Sequence, residues 1–202
     1  MTSTALTTPR LGPFETVLPP IDAARVAFAI SRSQVWPDAL DRRLLTSIMG
    51  LCDRAVFASN TVEGLGHREI ERPPLAGTAV LLMLRRPLLY RWLEAVTGCA
   101  PITDVEGRVV RTWPRPGDEL AWHDDLNGKG RRLGITIGLG SNAYEGGLFE
   151  MRARPGKEPL IQFRHDAAGT ALVFEVSSRC EHRVHPLVAG GPRQVFTGWF
   201  LG

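Results

Sequence analysis

The sequence is short of the features that place a chain in several large classes. Its three cysteines, Cys52, Cys99 and Cys180, are an odd number without the close pairing of a metal knuckle. A disulfide scaffold is thereby excluded, and buried free thiols in a reducing compartment are the expectation. No long apolar run is present either: the most hydrophobic stretch, Ala79 to Leu84, is cut off by Arg85, Arg86 and Pro87. It falls far short of the roughly 20 residues a bilayer-spanning helix needs. No basic, apolar leader opens the chain, and Met1 to Pro13 is rich in Thr and Pro and reads as a loose tail. A cytoplasmic protein with no membrane partner is expected. Charge of one sign is equally scarce, since 24 basic and 21 acidic residues leave a net +3. The arginines at Arg131, Arg132, Arg152, Arg154 and Arg164 are scattered rather than striped, which argues against a nucleic-acid partner. There is no internal repeat.

What is present is an ordinary globular composition, 44% hydrophobic and 22% charged over 202 residues. That length suits one domain with a full core. Two patterns divide it. Over 1–100 apolar residues recur at helical spacing, first at Ala24, Val26, Ala27, Phe28 and Ile30, with Asp22 as a candidate cap. They recur again at Leu40, Leu44, Leu45, Ile48, Met49 and Cys52. A third helical segment, Leu75 to Val96, is split or kinked by Pro87 and ended by Gly98; its stripe of Leu88, Leu89, Trp92, Leu93 and Val96 reads as packing surface. Over 101–202 short apolar runs alternate with Gly, Pro and Asn. Eight strands are predicted there, at 109–113, 119–122, 133–139, 148–152, 160–163, 170–176, 182–188 and 194–200. Eight antiparallel strands in two facing sheets make a jelly roll, so the fold class is α+β, mainly β, with N-terminal helices supporting a jelly-roll core.

The chemistry is concentrated at His123 and Asp125, in Ala121-Trp122-His123-Asp124-Asp125. In an extended chain residues i and i+2 share a side, so one nitrogen and one oxygen ligand can grip a single metal while Asp124 faces away. Trp122, opposite His123, is expected to pack. About sixty residues on, Cys180 to Val188 reads as a strand bearing a third ligand, followed by a tight hairpin at Gly190-Gly191 and a last strand opening on Arg193. Two histidines and one carboxylate leave three coordination positions open, the arrangement suited to non-haem Fe(II). A guanidinium fork nearby is shaped to hold a distal carboxylate bidentate.

These residues resemble the Fe(II)- and 2-oxoglutarate-dependent oxygenases, in the branch similar to prolyl 4-hydroxylases and with the double-stranded β-helix fold of that superfamily. The resemblance runs from about Arg111 to the C-terminus. It is carried by His123 and Asp125, the stretch Tyr144 to Phe149, the strand Gly169 to Phe174, the stretch His182 to Pro186, and Arg193. It implies iron held by His123, Asp125 and His182, with Arg193 on the 2-oxoglutarate C5 carboxylate. The activity implied is hydroxylation of a C–H bond of an amino acid, a peptidyl residue or a small natural product with O2, releasing succinate and CO2, with ascorbate as a stimulant. Asp125 also occupies the position a halide would need, which disfavours halogenation.

Departures from the family pattern are informative. Tyrosines common before the His-x-Asp and in the next strand are replaced by Trp113 and by Gly138-Leu139-Gly140, so a second co-substrate contact is unassigned. Val195 stands where a hydroxyl residue is common; Thr197, on the same strand face as Arg193, is the substitute candidate. Among the other histidines, His185 lies three positions from His182 and faces away, His165 reads as part of a turn and His67 as a solvated loop residue. Two loops are candidates for substrate contact: 126–131, a glycine-bearing lid, and 60–72, irregular between helices. Two further readings differ in class. A nucleic-acid demethylase of the alkylation-repair type would carry a second arginine where this chain has Trp199, and a non-catalytic binding module would not need the complete ligand set.

Overall fold

A computed structural model of the chain describes residues 8–62, 66–115, 118, 120–128 and 130–202. The first half runs β1 (Arg10–Leu11), β2 (Thr16–Val17), α1 (Ile21–Ser31), β3 (Ser33–Trp36), α2 (Arg42–Arg54), β4 (Val56–Val62), β5 (Gly66–Arg72), α3 (Leu75–Leu84) and α4 (Pro87–Thr97). The second runs β6 (Asp104–Thr112), β7 (Leu120–His123), β8 (Arg131–Gly138), β9 (Tyr144–Gly146), β10 (Phe149–Ala153), β11 (Pro159–Phe163), β12 (Ala171–Glu175), β13 (Cys180–Val184), β14 (Leu187–Gly190) and β15 (Arg193–Leu201). Seven strands form a major sheet in the order β3-β12-β8-β15-β6-β5-β4, and four form a minor sheet, β11-β10-β13-β7. All the pairings between these strands are antiparallel. This is the mainly β, double-stranded β-helix architecture with helices packed on one side.

Period-two alternation explains the layering. On β15, Phe196 and Phe200 are fully buried toward the helices, where they join Val105, Val109, Ile135 and Ile137 and the helical residues Val80, Leu89, Leu93 and Val96. Each such side chain contributes roughly 1.5–3 kcal/mol of burial. The opposite face of the major sheet meets the minor sheet through Leu172, Phe174, Phe149 and Met151. The helices begin and end largely where local chemistry directs. The Asp41 carboxylate accepts from the backbone N–H groups of Arg43 and Leu44 at the start of α2, Pro87 separates α3 from α4 by occupying the first turn, and Gly98 at φ 70° terminates α4.

Several sequence expectations are corrected. Asp22 lies in the first turn of α1 rather than at its cap, which is Pro20. Val26 and Ile30 are 64% and 74% exposed, because α1 turns only a narrow stripe inward and Ala24 and Phe28 fill it. The segment before Pro13 is no loose tail from residue 8 onward: Leu11 is buried and the Arg86 guanidinium binds the carbonyls of Gly12, Pro13 and Glu15. Residues 1–7 lie outside the described residues. The first half also contributes strands to the major sheet, and 60–72 belongs largely to the β4–β5 hairpin rather than an irregular loop. The predicted strand 182–188 is two strands, and Gly190-Gly191 joins no paired hairpin: β14 pairs with β9, whereas β15 pairs with β6 and β8. Among the described residues no helix is long and apolar enough to cross a membrane.

One buried carboxylate ties the hairpin to the helices. Glu71 on β5, 1% exposed, accepts from the N–H groups of Ala76 and Gly77 at 2.6 and 2.9 Å, satisfying donors that the start of α3 leaves open. Glu71→Ala buries both donors without a partner and should cost about 2–3 kcal/mol. Glu71→Gln, which keeps an acceptor, should cost less; urea unfolding of both variants measures the difference.

Candidate metal centre and buried guanidinium

His123 ends β7, and Asp125 stands two residues on with φ 62°, in the left-handed region that Asp tolerates better than most residues. The shared side of the two therefore comes from a turn after the strand, not from the simple extended alternation expected from the sequence. The turn brings the Asp125 carboxylate to 3.6 Å from His123 Nε2 and 3.4 Å from Nε2 of His182 on β13, which pairs directly opposite His123. Donor atoms of His123, Asp125 and His182 all lie within 4.8 Å of one another. A divalent first-row ion with ligand bonds of about 2.1 Å spans donors about 3–3.5 Å apart, so the spacing fits such an ion. The tautomer fits as well. His123 Nδ1 lies 2.7 Å from the Ala121 carbonyl, which it reaches as a donor, leaving Nε2 as the bare nitrogen.

The surroundings fix these groups. Trp199 Nε1 donates to Asp125 Oδ2 at 2.8 Å, while the Arg131 guanidinium donates to the Asp125 carbonyl and lies over the Trp199 ring at 3.6 Å. Burial alone would raise the Asp125 carboxyl; hydrogen bonds from His182 and Trp199 and the neighbouring imidazoles outweigh it and hold it down to about 2. His182 is 5% exposed, stacked on Phe149 and tilted against Phe174, and burial pushes its pKa down against the pull of Asp125. Asp124 faces away, as expected, bound to Arg154 at 2.9 Å, and Trp122 is packed beneath the Arg152 and Arg183 guanidiniums.

Arg193 opens β15 and is 8% exposed. Its Nε has no partner, and among the described residues no carboxylate pairs with it. The phenol of Tyr144 lies beside it. Burial holds the guanidinium pKa below its ordinary value. Gly146 and Gly147, both at positive φ, make room: a Cβ on Gly146 would strike the Pro186 carbonyl, and one on Gly147 would meet Leu187 at 2.9 Å and Arg193 Cδ at 3.2 Å. Arg193, Thr197 and Thr136 line the same cavity of about 230 Å³ as His123, Asp125 and His182.

The remaining candidates separate clearly. His185 lies at the cavity rim with Nε2 on Glu150 Oε2 at 3.0 Å, outside the three-residue cluster. His67 is on strand β5, not a solvated loop, with Nδ1 at 3.0 Å from the Thr61 hydroxyl. His165 is no exposed turn residue. It is buried, with Nδ1 donating to the Thr170 carbonyl and Nε2 accepting from the Thr136 hydroxyl. In the 126–131 loop, Lys129 is outside the described residues; Gly128 sits tight against the Arg131 side chain, so this stretch packs beside Asp125. Trp199 was legible as a site residue from alternation alone, since it shares a strand face with Arg193 and Thr197. Thr136 was not, because it reaches the cavity only through pairing of distant strands.

Comparison with known proteins agrees with this geometry. The sequence pattern of the 2OG-Fe(II) oxygenase superfamily matches residues 107–201. Among curated proteins none matches the sequence. Among solved structures, an oxidoreductase of the 2OG-Fe(II) oxygenase family from Burkholderia pseudomallei is similar, with a TM-score of 0.69 at 18% identity over 95% of each chain. A Pseudomonas putida prolyl-4-hydroxylase follows at TM-score 0.66 and 19% identity, over 91% of this chain and 100% of that one. The epimerase SnoN, solved with Fe3+, α-ketoglutarate and nogalamycin RO, has a TM-score of 0.60 at 12% identity over 90% of this chain and 83% of its own. At these identities the likeness is one of fold.

His165 gives the site a measurable pH signature. Burial, then the Arg193 charge, lower its pKa from 6.5 to about 3. Between these values the unfolded chain takes up a proton that the folded chain refuses, so stability rises with pH across the window and is lost as pH falls from about 6.5 toward 3. The slope from this residue approaches about 1.4 kcal/mol per pH unit in the middle of the window. Urea unfolding between about pH 4 and 7 should show it in the wild type, and His165→Gln should flatten it.

Proposed function

We propose that the chain, whose residues 107–201 match the sequence pattern of the 2OG-Fe(II) oxygenase superfamily, is one catalytic domain, an Fe(II)- and 2-oxoglutarate-dependent hydroxylase of a small molecule or peptidyl residue. The observation that carries this reading is Arg193: a buried guanidinium without a carboxylate partner among the described residues, in the same cavity as two imidazoles and an aspartate. A buried cation of this kind calls for an anion from outside the chain. The C5 carboxylate of 2-oxoglutarate matches its fork.

In this reading His123 Nε2, the Asp125 carboxylate and His182 Nε2 hold the iron, and Arg193 with Thr197 holds the distal carboxylate. Tyr144, whose hydroxyl donates to the His165 carbonyl at 2.9 Å, stands beside Arg193 and takes the place of the tyrosines that the sequence lacks. When bound, the iron and 2-oxoglutarate supply oxidative decarboxylation to succinate and CO2 and an oxidant strong enough for a C–H bond. The chain's own residues orient and protect. The Trp199 N–H and the Arg131 guanidinium hold Asp125 in place, His123 is held in its tautomer by the Ala121 carbonyl, and Phe149 and Phe174 shield His182 from water.

Two expectations test the assignment. Replacing His123, Asp125 or His182 by Ala should abolish Fe(II) binding, whereas Asp124→Ala and His185→Ala should retain it; titration with Fe(II) under anaerobic conditions reads this directly. For Arg193→Ala, the lost clamp is on the order of 2–5 kcal/mol, so the 2-oxoglutarate requirement should rise by roughly thirty-fold or more while iron affinity holds. Anaerobic titration of the metal-to-ligand absorption band measures that requirement. Lys should restore part of it, because a point charge cannot make the fork. Succinate release with incorporation of one atom of labelled O2 into the product distinguishes hydroxylation from other oxidations and from mere binding.

A further inference from the structure

The cavity carries more positive charge than the co-substrate accounts for. Four arginines line it, Arg68, Arg108, Arg131 and Arg193, against two aspartates, Asp118 and Asp125. Arg131 is engaged with Asp125 and Glu106, and Arg193 is assigned to 2-oxoglutarate. Arg68 and Arg108 remain. Among the described residues neither makes a side-chain hydrogen bond or an ion pair, and Arg68 Nε is buried without a partner. The carboxylate of Asp118 is directed elsewhere, accepting from the His67 N–H and lying 4.0 Å from Arg115.

Their positions set both apart from Arg193 itself, with Arg108 beside Thr197. Arg108 pairs across the sheet with Thr197, and Arg193 with Thr112. Glu69 pairs with Arg111, which places Arg68 one position beyond, on the far side of β6 from Arg193. With strands about 4.8 Å apart, Arg68 stands two strands, or roughly 10 Å, from Arg193. Thr112 lies between Arg68 and Arg193 at that level, and the next row toward Arg108 is apolar, made of Ile70, Val110 and Val195. Burial first, and the nearby Arg108 charge second, depress the Arg68 pKa.

We infer that Arg68 and Arg108 form an anion subsite for the substrate, so that the molecule oxidised carries a carboxylate or another oxyanion group and lays a small apolar body over Val110. The inference rests on the oxygenase reading above and narrows its substrate class. A neutral residue or sugar would leave two cations facing an apolar wall without compensation, whereas an oxyanion held by two guanidiniums satisfies both.

The test uses the full chain loaded anaerobically with Fe(II) and 2-oxoglutarate, whose charge-transfer band reports the metal and Arg193 sites independently. N-acetylglycine and methyl phosphate serve as anionic probes and N-acetylglycinamide as the neutral control, titrated calorimetrically into wild type, Arg68→Gln, Arg108→Gln and the double variant. The expected result is anionic binding weakened at least tenfold in each single variant and abolished in the double, with the neutral control weak throughout and the charge-transfer titration unchanged. Preference between the two probes separates a carboxylate from a phosphoryl substrate. Arg68→Lys, which keeps the charge and the stem, should bind within several-fold of wild type and guards against a folding defect in the Gln variant. Equal binding of the anionic probes to wild type and double variant would overturn the subsite while leaving the oxygenase reading intact. Loss of the charge-transfer band in Arg68→Gln would move that arginine to the co-substrate clamp and also overturn it, whereas a wild-type chain with no band at all would sink the underlying reading instead.

Discussion

The pairing of β15 between β6 and β8 is the constraint on which the rest of the molecule depends. All nine residues of one strand, Arg193–Leu201, pair with β6 and seven of them, Val195–Leu201, pair with β8, in a register that admits no slip, because a shift by one residue would turn Phe196 and Phe200 out of the core. The same alternation that buries those rings against the helices sends Arg193, Thr197 and Trp199 to the cavity. Core formation and site formation are thus one event.

From that strand the site is assembled outward. Trp199 reaches the Asp125 carboxylate, Arg131 covers Trp199, and the minor sheet brings His182 opposite His123. Each of these contacts holds a group in a conformation it would not keep alone. Asp125 has a left-handed backbone that costs about 1–2 kcal/mol in an unconstrained chain, and Arg193 gives up its hydration. Local order of this kind persists where packing over-determines it. The fully buried Met151 and the ring cluster of Phe149, Phe174 and His182 supply that packing from the minor sheet.

The β4–β5 hairpin adds a second theme. It lengthens the major sheet past β6 and is locked to the helical layer by Glu71, whose carboxylate holds the start of α3. On its other face it presents Arg68 to the cavity. The cavity wall on that side is therefore anchored through the sheet to the helices behind it, and the N-terminal half of the chain shapes the cavity as well as supporting it.

The sequence by itself determined the strand-rich character of the C-terminal half, the helix break at Pro87 and the choice of His123, Asp125 and His182 as candidate metal-binding residues, because periodicity, proline chemistry and metal preference are local properties. It also determined which face of β15 Arg193 and Thr197 share, since alternation needs no partner strand. Only the tertiary structure decided that Asp125 reaches His123 through a left-handed turn, that 60–72 belongs to a paired hairpin, and that the Gly190-Gly191 turn separates two strands with different partners. It alone placed Thr136 and Arg108 on the cavity wall and Tyr144 beside Arg193. Those outcomes depend on which distant strands pair and in what register, and strand pairing is a property of the whole core that no short stretch of residues encodes.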